Sequence, residues 1–224
     1  MTTISLTAAD GHHFSAYDVS PSGRPRGGLV VVQEIFGVNR HIRDVADGYA
    51  ADGYHVLAPA LFDRAERGIE LDYDRENVQR GMALRQKITL EEMLADVAAC
   101  AAALKPAGKV GIVGYCLGGS LAWLAAARFK GLAAAVGYYG GMVVKHLDEA
   151  PKCPVMLHFG EEDGGIPMSD IAAIRAGADP DIVQTFTYAG AGHAFNRKGN
   201  HAFHDESARL ARERSLAFLR EHLG

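Results

Sequence analysis

The chain has 224 residues, 48% hydrophobic and 22% charged, with a formal net charge of −4. That is enough chain for one sizeable core, and it lacks the basic excess that nucleic acid would require. No apolar run approaches the roughly 18–20 residues that cross a bilayer. The opening "MTTISLTAADGHHF" has no basic segment leading into an apolar one, so no signal peptide is expected.

The predicted elements alternate along the chain. "GGLVVVQEIFG" reads as a strand over Leu29–Val32, buried on both faces because it is β-branched and does not alternate. "NRHIRDVADGYAADGY" follows as a helix with Asn39 as N-cap and Gly53 as stop. "YHVLAP" is the next strand, ended by Pro59. Leu61 to Lys87 is charged and irregular and is expected to hold a helix and loops above the sheet edge. Thr89 with Glu92 makes a capping box, and Leu90, Met93, Leu94, Val97, Ala101 and Leu104 then fall on one helical face.

"KVGIVGY" is a strand, "LGGSLAWLAAARF" a helix, and "LAAAVGYYG" and "CPVMLHFG" two more strands. "SDIAAIRAGAD" is a helix with Ser169 as its expected cap, "DIVQTFTY" the last strand, and His204 to Leu223 a terminal helix. Such alternation predicts an α/β fold, a mainly parallel sheet covered on both faces and forming one domain over 1–224. Reactive groups in such sheets sit in loops at the carboxyl ends of the strands.

Three cysteines, Cys100, Cys116 and Cys153, with no CxxC spacing argue against a disulfide framework or a zinc site. One of them occupies an unusual place. "GYCLG", Gly114 to Gly118, has the form G-x-nucleophile-x-G between a strand and a helix. The sharp turn strains the backbone at the central residue, and glycines two positions either side relieve collisions there. The start of the following helix favours a thiolate, and the Leu117 N–H points to where an oxyanion would form.

A nucleophile needs a base. His193 lies in the glycine-rich "YAGAGHAFN" just after the last strand, while His158 lies within a strand and reads as packed. Of Glu161, Glu162 and Asp163, which follow another strand, Asp163 is favoured as the orienting carboxylate because glycines and a proline fix its turn. The order Cys116, Asp163, His193 is that of the α/β-hydrolases, and other triad folds differ.

The chain resembles the dienelactone hydrolase family in "QEIFGVN" (33–39), "GYCLGG" (114–119), "AVGYYG" (135–140) and "AGHAFNR" (191–197), from about Gly11 to the last helix. The absence of a signal peptide, a spanning run and a cysteine framework leads to the expectation of a cytoplasmic protein, and the resemblance implies an α/β-hydrolase fold and an enzyme with no metal or cofactor, which opens an enol-lactone through a thioester. It implies that Glu34 contacts Cys116 and takes its proton, and that the Ile35 and Leu117 N–H groups form the oxyanion hole. It also implies that Arg197 binds a substrate carboxylate, with Phe36, Tyr138 and Arg80 as further substrate-binding residues. The small-molecule substrate is the partner implied, with neither nucleic acid nor membrane. Oligomeric state is not fixed by the sequence, and a monomer suffices.

The sequence also departs from the family. A gapless alignment puts Gln79 where the second arginine should stand, and only a one-residue shift brings in Arg80. Ala194 replaces a serine, "APALF" lacks an acid after its proline, and aromatic residues are missing around Met82 to Gln86. These changes fall on the substrate pocket, so a broader esterase or thiol acyltransferase is the alternative. A non-catalytic ligand-binding protein is a third reading.

Overall fold

The computed structural model describes residues 2–199 and 201–224. Eight strands form one sheet: β1 (Thr2–Thr7), β2 (His13–Val19), β3 (Gly28–Val32), β4 (His55–Pro59), β5 (Val110–Tyr115), β6 (Leu132–Tyr138), β7 (Val155–Gly160) and β8 (Val183–Tyr188). Their order is β1-β2-β4-β3-β5-β6-β7-β8. The six strands from β4 to β8 are parallel, and β2 joins them antiparallel to β4. Every residue of β3 and β5 is buried, as central strands of a doubly covered sheet require.

The described residues also form six α-helices, besides short 3-10 turns: α1 (Arg40–Ala51), α2 (Arg75–Gln86), α3 (Leu90–Ala103), α4 (Leu117–Arg128), α5 (Met168–Gly177) and α6 (Asp205–Leu223). Among the described residues no helix is long and apolar enough to cross a membrane. Local chemistry sets several boundaries as expected. Asn39 Oδ1 accepts from the Ile42 N–H and opens α1. Thr89 and Glu92 form the reciprocal capping box of α3. Gly53, with φ of 104°, ends α1 by turning the chain into β4.

One expectation is corrected, and one element is new. α5 begins one residue before Ser169, after Pro167, and no side chain caps it. Pro167 ends the Asp163 turn and leads directly into the helix. The antiparallel hairpin β1–β2 at the sheet edge was not anticipated, although the alternation in "TISLT" and the Asp10-Gly11 turn carry its signal. Its outer strand is largely exposed, which weakens the hydrophobic pattern.

The site rests on a buried polar bracket beneath β6 and β7. His158 is fully buried, with Nδ1 2.8 Å from the Tyr188 hydroxyl and Nε2 3.0 Å from Ser215 Oγ. Tyr138 shares the same Ser215 hydroxyl at 2.7 Å. Burial, reinforced by the charge of Arg214, lowers the His158 pKa to about 3. The unfolded chain binds a proton on this residue as pH falls below about 6.5, and the folded chain does not until about 3, so stability declines across that window. Urea unfolding should therefore show the wild type losing roughly 1.5–2 kcal/mol more than His158→Gln between pH 6.5 and 5. Equal pH slopes in the two proteins would contradict this assignment.

Candidate active site

The turn between β5 and α4 carries Cys116 with φ of 54° and ψ of −110°, a conformation that L residues avoid and that costs on the order of 1–3 kcal/mol. Backbone bonds pay for it. The Cys116 N–H donates to the Tyr138 carbonyl at 3.0 Å, and the Gly118 N–H to the Gln33 carbonyl at 3.1 Å. A Cβ at Gly114 would run into the Gly118 carbonyl, and one at Gly118 into the Val32 carbonyl. The two glycines thus let the turn fold on itself and settle against the end of β3. The Ile35 and Leu117 N–H groups donate to no acceptor among the described residues, and Leu117 is the first residue of its helix.

His193 and Asp163 reach the same rim from the loops after β8 and β7. Gly160, at the end of β7, makes this possible, since a Cβ there would collide with the Ala191 carbonyl. The Glu162 N–H donates to that carbonyl at 2.9 Å and ties the two loops together. His193 Nδ1 lies 2.7 Å from Asp163 Oδ2, and the Gly165 N–H donates to Oδ1 at 2.8 Å. Asp163 is buried, while Glu161 and Glu162 are exposed, so the turn presents one acid inward. With Nδ1 engaged by Asp163, Nε2 is the ring nitrogen left for another partner. Burial alone would lower the His193 pKa, but hydrogen bonds and charge from Asp163 and Cys116 outweigh it and raise the pKa above its usual value.

Glu34 is fully buried and takes both arms of Arg197, with Nη2–Oε1 of 2.8 Å and Nε–Oε2 of 3.1 Å. Two residues expected to serve the site separately, Glu34 at the thiol and Arg197 at a substrate carboxylate, are thus paired with each other. The guanidinium also lies 4.0 Å from the Tyr73 ring centroid and 5.2 Å from that of Phe36. Phe36 is thus a buried support for Arg197. Ala194, with φ of 63°, turns the chain after His193, and the Arg197 N–H closes that turn on the Ala194 carbonyl at 2.9 Å.

Two expected substrate-binding residues lie elsewhere. Tyr138 is core, stacked on Tyr115 at 4.7 Å with its hydroxyl on Ser215, because strand alternation turns it into the helix layer. Arg80 is half exposed on α2 and pairs with Glu66 at 2.7 Å, and Gln79 is exposed as well. The neighbouring Gly81 packs on the Ile35 carbonyl, so α2 meets the site through its backbone.

Three residues near the site were missed. Tyr139, next to the misassigned Tyr138, is buried at φ of 39° with its ring 5.0 Å from that of His193 and its hydroxyl unpartnered. Gln33 is buried and accepts from the Leu61 N–H at 3.1 Å. Tyr73 stacks on Arg197 from a loop that sequence alone left irregular. The pair of adjacent tyrosines was the available signal, since one of two neighbours at a strand end must face the rim. The other two cysteines are buried, with burial pushing Cys153 up to about 11 and Cys100 higher still.

A strained turn after the fifth strand of a mainly parallel sheet, facing a histidine and an acid from later strands, defines the α/β-hydrolases. Within that class the chain belongs to the dienelactone hydrolase family, whose profile matches residues 14–223. A carboxymethylenebutenolidase of Pseudomonas putida is 38% identical over 225 residues, covering 96% of this chain and 94% of that one. A crystal structure titled a putative dienelactone hydrolase from Klebsiella pneumoniae matches with a TM-score of 0.83 at 30% identity, over 97% of this chain and 98% of the other. An esterase of Pyrococcus furiosus shares the fold, with a TM-score of 0.74 at 14% identity over 100% of this chain and 91% of that one.

Asp163 is the largest influence holding the His193 pKa above its usual value. Asp163→Asn should therefore lower that pKa, read by NMR titration of the imidazole in the full chain. An unchanged His193 titration in the variant would count against the Asp163–His193 pairing.

Proposed function

We propose that this protein hydrolyses a small lactone or ester, with an enol-lactone such as dienelactone (giving maleylacetate) as the first candidate substrate, through a thioester on Cys116. The observation that carries this reading is the 2.7 Å pairing of His193 Nδ1 with buried Asp163 on the rim that also holds the strained Cys116 turn, supported by the uncommitted Ile35 and Leu117 N–H groups. His193 takes the thiol proton, and the thiolate attacks the carbonyl carbon. The resulting oxyanion accepts hydrogen bonds from the Ile35 and Leu117 N–H groups. Collapse breaks the ring C–O bond, leaving an acyl thioester and an enolate, which takes the proton from the His193 imidazolium and becomes its ketone, so that His193 is a free base again. His193 then draws a proton from water, which attacks the thioester, and the thiol leaves with that proton. Asp163 holds the imidazole by Nδ1 throughout.

Glu34 and Arg197 give substrate binding a further consequence. An entering carboxylate competes with Glu34 for the Arg197 fork. If it wins, Glu34 is left as an unpaired buried carboxylate, costly as such and therefore a strong proton acceptor. Glu34 sits one residue past Gln33, whose carbonyl holds the elbow, so a second base becomes available on the cysteine side only when substrate is bound. One observation favours the broader esterase: Arg80, the second cation expected for a substrate carboxylate, is exposed and paired with Glu66. A single arginine suits a monocarboxylate or a neutral ester as well as a dienelactone.

Turnover of cis- and trans-dienelactone and of an aryl acetate separates these readings. Cys116→Ala should lower whichever activity is present by at least about a thousandfold. Aryl-ester turnover without lactone turnover selects the esterase reading, and the absence of both, with Cys116 inert to iodoacetamide, refutes the hydrolase mechanism. Glu34→Gln should slow ring opening of a carboxylate-bearing lactone by about tenfold or more while leaving a neutral aryl ester within about threefold. Equal losses on both substrates would remove the substrate-triggered role of Glu34.

A further inference from the structure

A cavity of about 790 Å³ opens between α1 and α6, and none of Cys116, Asp163 and His193 lines it. Its volume lies within the roughly 300–1,000 Å³ of small-molecule sites, which are mostly apolar with a few placed polar groups. Tyr73, Tyr115, Phe203 and the ring of His41 line it. The His41 ring stands edge-on to both tyrosines, with centroids 6.4 Å away in each case.

Two lining side chains keep a buried polar atom without a partner, His41 Nε2 and Arg212 Nη1. Buried polar atoms are normally satisfied, so each calls for an explanation. The rest of the Arg212 head is committed: Nη2 donates to Asp52 at 2.6 Å, and the guanidinium carbon lies 3.9 Å from the Tyr49 ring centroid. Nη1 can only donate, so its missing partner is an acceptor oxygen. Burial, only partly opposed by the charge of Glu34, lowers the His41 pKa, so this ring is a neutral group able to give or accept one hydrogen bond. The acids of the lining are mostly occupied. Glu213 pairs with Arg209 at 2.8 Å, Asp44 faces Arg40 at 3.8 Å, and Asp205 lies in the first turn of α6, where a helix favours negative charge. Asp72 and Lys198 line the cavity with opposite charges.

We propose that this cavity is a second small-molecule site, taking a one- or two-ring aromatic carboxylate. Its rings lie among Tyr73, Tyr115 and Phe203, and its carboxylate accepts from Arg212 Nη1 after a small side-chain adjustment. The site does not depend on the chemistry assigned to Cys116. It does share a wall with it, because the Tyr73 ring that lines the cavity also carries the guanidinium of Arg197.

Calorimetric titration of the full chain with naphthalene-2-carboxylate tests the site. The expected result is one saturable event that weakens at least about tenfold in Ala208→Trp, which fills the cavity from α6. Naphthalene-2-methanol, the same rings without the charge, should bind at least about tenfold more weakly to the wild type. Val45→Trp, filling from α1, replaces Ala208→Trp if circular dichroism shows that the latter has not folded. No saturable binding up to about 5 mM, or binding undiminished in the filled variant, overturns the site; equal affinity for the alcohol overturns the ligand class. Hydrolysis is not read at any step, so failure here is distinct from failure of the Cys116 mechanism.

Discussion

The whole site hangs on the turn at Cys116. A residue in a left-handed conformation between a buried strand and a buried helix is unfavourable on its own. It persists because β3 and β6 hold it from two sides, through the Gln33 and Tyr138 carbonyls. Gly114 and Gly118 supply the clearance, and the parallel order β3-β5-β6 supplies the carbonyls at the right height. The loops of β7 and β8 are then placed by the same sheet. Gly160 does for them what Gly118 does for the elbow, admitting one backbone against another where a side chain would block it.

The buried Glu34–Arg197 pair is of a different kind. Two charges withdrawn from water make a poor stability device, since desolvation offsets most of their attraction. Here the pair is over-supported, with Tyr73 and Phe36 on the guanidinium and a left-handed Ala194 turning the chain so that Arg197 reaches Glu34. Such an arrangement suits a pair that can be exchanged. In the proposed mechanism a substrate carboxylate would replace one of its members without leaving the arginine unsatisfied, and the cost would fall on the carboxylate left behind.

What could be read from the sequence was what is local. The Asn39 cap, the Thr89–Glu92 box, the glycines of the elbow and the inward acid of the Asp163 turn depend on neighbours a few residues apart, and the structure has all of them. Glu34 and Arg197 lie 163 positions apart, and no spacing rule joins them. The resemblance located both residues but gave them other partners. Tyr138 and Tyr139 show a narrower failure. Adjacent strand residues point to opposite faces, so a one-residue choice of parity decides which is core and which meets His193. Arg80 failed because an exposed helix face leaves a long side chain free to find a surface acid. The β1–β2 hairpin failed because an edge strand buries too little to show its pattern.

The elbow is gripped entirely by its backbone. Both anchors of the Cys116 turn are main-chain bonds to main-chain carbonyls, and the clearances are set by residues that have no side chain. The fold therefore specifies a location in space and leaves open the element placed there. Sulfur and oxygen of similar reach could stand at position 116 with the same turn, the same helix start and the same two N–H groups nearby. What distinguishes a thiol there lies outside the elbow, among the groups around it: the His193–Asp163 pair and the Glu34 carboxylate held by Arg197. Reactivity at this position can thus change through a few side chains on the rim while the architecture beneath it stays the same.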